Sequence, residues 1–103
     1  MLRKITLLSI FLIIPFAAAN ESPEVKALKK DMPQDVALII DRIVECNHWN
    51  GEEPGNKERA EQVKKEVEKW RCDALVQDQA NLTKRYPNNY EIKIRIQSAQ
   101  NIF

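Results

Sequence analysis

Glycine is nearly absent from this chain: two in 103 residues, Gly51 and Gly55, both in one short stretch. Without more of them there is no glycine-rich phosphate loop, and G-x-S-x-G and H-E-x-x-H are missing as well. Histidine occurs once, at His48, and no Met-rich or His-rich tract offers a copper site. No block of one charge sign exceeds three residues, so the basic stripe of a nucleic-acid binder is lacking. Internal repeats and low-complexity tracts are absent too. Only one long apolar run exists, Ile5 to Phe16.

That run is the most informative feature present. Arg3 and Lys4 precede it and Ala17-Ala18-Ala19 follow, the pattern of a secretory signal peptide (residues 1–19) cut after Ala19. It is short for a bilayer span, and nothing later resembles a second one. No Cys follows it, which argues against a bacterial-type lipid anchor. The expected product is periplasmic or secreted, with no membrane span and 84 of the 103 residues. Two of the 16 basic residues leave with the leader, so 14 face 15 acidic ones. Charge therefore says little about partners beyond the absence of nucleic acid.

A chain of this size buries a modest core and generally needs a staple. Cys46 and Cys72, the only cysteines, are expected to pair in an oxidising compartment. Closing that loop removes about 3–4 kcal/mol of unfolded-state freedom, a large share of a total near 5–10 kcal/mol.

Residues 20–31 are polar, contain Pro23 and read as a flexible N-terminal tail; residues 32–103 read as the folded domain. Pro33 suits the first position of a helix in which Val36, Ile39, Ile40, Ile43 and Val44 form one buried stripe. That helix is expected to end near Cys46 or Asn47. A loop then spans residues 47–56, with Gly51 and Gly55 suited to positive φ and Asn56 placed to cap the next helix. Ala60, Val63, Val67, Trp70 and Ala74 make a narrow seam on a second helix, with Trp70 in the core. Alternating charges such as Glu61 and Lys65 form its solvated face. The disulfide strains this picture. Cys72 stands about 24 Å along a straight second helix, so either that helix starts later or the two cross steeply.

A third segment, Ala74 to Tyr86, carries Leu75, Leu82 and Tyr86 on one face and closes at Pro87. Asn88 or Asn89 caps a last segment. Tyr90, Ile92, Ile94 and Ile96 alternate as in a strand, but a lone strand has no partner, and helix is the better reading. The sequence thus predicts an all-α fold, a small bundle of three or four helices stapled by Cys46–Cys72. Asn81-Leu82-Thr83 matches the glycosylation sequon, falls mid-helix and reads as a chance match.

The densest chemistry lies in Cys46-Asn47-His48-Trp49-Asn50-Gly51-Glu52-Glu53. One reading is structural: His48 and Trp49 cover the disulfide while Glu52 or Glu53 bonds loop amides. Another is a recognition loop with Trp49 as anchor and His48, Glu52 and Glu53 as polar rim, since aromatics concentrate at binding hot spots. A metal site using His48 and Glu52, with the two thiols, is the alternative, and it competes with the disulfide. The adjacent carboxylates Glu52 and Glu53 make a poor acid/base pair across a cleft, so no enzyme, catalytic residue or cofactor is expected.

With Pro54, Glu58-Arg59 and Cys72-Asp73, this stretch resembles a group of small secreted proteobacterial proteins of unknown function. They share a C-x-H-[WF]-x-G-E-E pattern, a second Cys some 25 residues on and a Tyr that Tyr86 matches. The resemblance spans Pro33 to Tyr86 and implies a bacterial envelope or secreted setting with no activity. Cys72, Leu75, Leu82 and Tyr86 are also similar to the end of a helix in LprI-like periplasmic lysozyme inhibitors. Those carry more cysteines and an L-N-x-x-Y step; here the step is Leu82-Thr83-Lys84-Arg85-Tyr86, without the Asn. The expected partner is another envelope or secreted protein.

Overall fold

The computed structural model describes residues 21–102. The leader and its cut after Ala19 lie outside them. The described residues form five α-helices and no strand: α1 (Pro23–Lys29), α2 (Gln34–Asn50), α3 (Lys57–Lys69), α4 (Leu75–Arg85) and α5 (Tyr90–Gln100). A 3-10 turn, Cys72–Ala74, joins α3 to α4. Helix α2 is the centre, packing against all four others. Its stripe behaves as its period requires: Val36 and Ile40 are fully buried and Ile43 is 1 % exposed. Leu82 of α4 and Ala99 of α5 complete this core at 0 % exposure. Each large side chain buried this fully contributes roughly 1.5–3 kcal/mol.

The N-terminal stretch differs from a tail. Ser22 Oγ accepts the Val25 N–H at 3.2 Å, Pro23 opens α1, and Val25 is buried against the core. At the other end Arg95 Nη1 donates to the carbonyls of Ala27, Leu28 and Lys30 at 3.1, 3.0 and 2.9 Å. They gather the carbonyls at the C-terminal end of α1, where a helix runs short of backbone donors. Lys29 adds ion pairs to Asp41, at 2.8 Å, and to Glu21. A seven-residue helix is not stable alone; here α5 and α2 hold it.

Helix α2 also runs further than expected, to Asn50, so the loop is confined to residues 51–56. Neither glycine adopts positive φ; Gly51 closes the last turn at φ −88°, its N–H donating to the Asn47 carbonyl. Left-handed backbone occurs instead at Asp31 (φ 60°) and Arg71 (φ 52°).

Arg71 resolves the strain between two helices and one disulfide. Helix α3 starts at Lys57, its first turn capped by Asn56 Oδ1 on the Arg59 N–H at 2.8 Å. It lies alongside the second half of α2, Arg59 beside Glu52 and Trp70 beside Arg42. It stops at Lys69, and Arg71 turns the chain back toward the end of α2. Cys72 thereby comes to 5.6 Å from Cys46, Cα to Cα, within bonding range, and the disulfide is formed. Helix α3 buries no residue fully: Val63 and Val67 are half-buried and Ala60 is exposed. Trp70 sits half-buried at the rim of the core, its Nε1 donating to Glu66 at 3.3 Å. The last segment is helical, capped by Asn89 Oδ1 on the Ile92 N–H at 3.1 Å. Ile92 and Ile96 face inward, while Tyr90 and Ile94 are exposed.

Candidate functional site

The four residues singled out by the sequence lie at the C-terminal end of α2 and the start of the following loop. His48 and Trp49 are not loop residues. They occupy the last turn of α2, where composition suggests a break but side-chain bonds one turn apart support a helix. Trp49 Nε1 donates to Glu45 Oε1, four residues back, at 3.1 Å. The His48 ring meets the Trp49 indole edge-on, centroids 4.9 Å apart and planes at 76°. On another side the Arg59 guanidinium lies over the indole, 5.0 Å from its centroid.

Arg59 itself is fixed by Glu52. Its Nε and Nη2 donate to the two carboxylate oxygens at 2.7 Å each, the bidentate geometry that makes such pairs specific. A further bond, Nη1 to Gln62 Oε1 at 2.6 Å, sets the remaining edge. The Arg59 hydrogen bond holds the Glu52 carboxyl below its ordinary range, against partial desolvation and helped by the charges of Arg59 and His48. Glu52 in turn raises the Arg59 guanidinium. His48 Nε2 lies 3.8 Å from Glu52 Oε2. Glu53 is exposed. Glu52 is therefore engaged by a guanidinium from α3 rather than by loop amides.

Chemically this is a rigid surface aromatic with a polar border. His48 and Trp49 lie outside the core cluster: His48 is exposed and Trp49 half-buried. Both thiols of the conceivable metal set are bonded to each other. Among the described residues no three His, Cys, Asp or Glu side chains come together to hold an ion. Among those same residues no helix is long and apolar enough to cross a membrane.

Sequence reasoning missed Arg59, the residue that joins Trp49 to Glu52 across the loop. Its signal was present: seven residues separate Glu52 from Arg59, with turn residues and a helix cap between. It also missed Arg42, 8 % exposed, which donates to the carbonyls of Trp70 and Arg71 and to Asp78, each at 2.8 Å. A single arginine beside a run of buried Ile and Val was the available clue. Tyr86 donates to Asp35 at 2.9 Å, and Arg85 reaches the same carboxylate at 3.0 Å. All four inhibitor-like positions thus have packing or bonding roles: Cys72 in the disulfide, Leu75 and Leu82 in the core, Tyr86 on Asp35.

No family model, curated protein or solved structure matches the chain.

Proposed function

We propose that the protein is a small secreted or periplasmic interaction module that holds another envelope or secreted protein through the end of α2. Trp49 is the anchor; His48, Glu52 and Glu53 form its polar rim, and Arg59 is its support. The observation that carries this reading is the fixation of a surface indole. Its N–H bonds to Glu45, Arg59 lies over its ring and His48 packs against it at a steep angle. An aromatic already ordered before binding loses little rotamer freedom in a complex. A purely structural tryptophan would be expected in the core cluster, where Trp49 is not. The disulfide at Cys46, one helical turn before the indole, braces the same end.

The test is retention of a partner from the secreted fraction by the oxidised protein and by Trp49→Ala. Loss of one specific partner, with unchanged helical circular dichroism, supports the reading. Equal retention by both proteins refutes it. Metal binding is separated in the same preparation by native mass spectrometry. A mass two hydrogens lighter than the dithiol, with no added ion, fits the interaction module, whereas a bound ion lost on His48→Ala favours the alternative.

A further inference from the structure

A concavity lies away from Trp49, between α4 and α5. It is a groove of about 400 Å3, within the range of small-ligand sites. Its floor is apolar, formed by Ile92 and Ile96, which are 5 % and 8 % exposed. Its walls carry five carboxamides, Gln79, Asn88, Asn89, Gln97 and Gln100. In a chain that is 30 % charged, Lys93 is the one Lys, Arg, Asp or Glu lining this groove.

Both ends are shaped by bonds already described or adjacent to them. At one end Gln100 Nε2 donates to Gln79 Oε1 at 2.8 Å, and the Gln100 carbonyl accepts from Asn47 at 3.2 Å. At the other, the Tyr86 ring is pinned by its hydroxyl on Asp35. Tyr90, 72 % exposed, stands at the same rim. Asn89 uses its carbonyl on the Ile92 N–H, so its NH2 group is what it offers a ligand.

We infer that this groove binds a neutral, hydroxyl-rich ligand, a short oligosaccharide. A carboxamide presents a donor and an acceptor side by side, which matches a sugar hydroxyl that also does both. Tyrosine rings give an apolar face for the C–H side of a pyranose and a polar tip for its hydroxyls. Recognition of phosphate or carboxylate relies on arginine forks and clustered cations, and this groove has one lysine. Peptide capture by strand addition requires a sheet edge, and helix docking requires an apolar groove. The described residues contain no strand, and these walls are polar.

The experiment is an amide NMR titration of the isotopically labelled, oxidised protein with triacetylchitotriose, cellotriose and, separately, trialanine. Saturable shifts at Asn89, Lys93 and Gln97 with either sugar, and a Kd on the order of 1 mM, are the expected result. Tyr90→Ala should weaken that Kd by roughly tenfold; the position is exposed, and the rest of the spectrum reports that the fold is kept. Trp49→Ala should leave it unchanged, which keeps this site separate from the protein-binding one. Non-saturable shifts, shifts confined to other surfaces, or saturation by trialanine alone would overturn the inference.

Discussion

Replacing Arg42 by methionine keeps much of the side chain's length and apolar packing but removes its three donors. Two of the acceptors are the main-chain carbonyls of Trp70 and Arg71, the groups that set the chain reversal after α3; the third is Asp78. Arg42 is 8 % exposed, so the bonds form largely out of water, although Asp78 retains 30 % of its side-chain surface. Removing one partner of such a buried set, with some rehydration of the others, costs about 3 kcal/mol. For a domain of this size that lowers Tm by roughly 12–24 °C. Asp78→Asn removes only the charge of this half-buried partner and leaves an acceptor, so its cost should be about 1 kcal/mol. Urea unfolding of the oxidised proteins, read by circular dichroism, measures both. If Arg42→Met costs under about 1 kcal/mol, or no more than Asp78→Asn, the carbonyl contacts do not hold the turn and the argument fails.

Reduction of Cys46–Cys72, which are 26 residues apart, should remove about 3.5 kcal/mol by loop entropy; guanidinium titration with and without reductant checks this. Glu52 titrates below its unfolded value, so its contribution is present above the unfolded pKa and is lost as pH falls through the lower folded one. An acid titration of Trp49 emission, with Trp70→Phe removing the second indole, should show that step, and Arg59→Ala should move it upward. The Tyr86 phenol is raised, first by its hydrogen bond to Asp35. Its contribution is complete below the unfolded pKa and disappears as pH rises through the folded one, and Asp35→Asn should bring the ultraviolet tyrosinate transition to lower pH. Asn89→Ala should cost about 1 kcal/mol and Asn89→Gly only a few tenths, measured by thermal unfolding.

Where period and local chemistry agree, the sequence is enough. The stripe from Val36 to Val44 repeats at helical spacing and is buried as read, and Asn56 and Asn89 cap the helices they precede. The disulfide follows from there being only two cysteines. What escapes is whatever depends on a distant arginine. Helix α1 is too short to announce itself, and Arg95, more than sixty positions later, completes its end. The left-handed turn at Arg71 has no glycine to mark it; Arg42 holds the carbonyls on either side of that bend. Residues 47–50 have loop composition, yet Trp49 bonds back to Glu45 and the helix continues. The same limit applies to the candidate site: Trp49, His48, Glu52 and Glu53 are visible as a cluster, while Arg59 becomes their partner only after the loop has folded over.

The clasp of Arg95 on α1 also imposes an order in time. A chain produced or exported from its N-terminus presents residues 23–29 well before residue 95. The α5 share of what holds α1 therefore waits for a residue more than sixty positions later. Until then α1 rests on α2 alone, through Val25 and the Lys29–Asp41 pair, even after Cys46 and Cys72 are both available to join. The bonds between α1 and α5 can close only once residue 95 is present, after both cysteines.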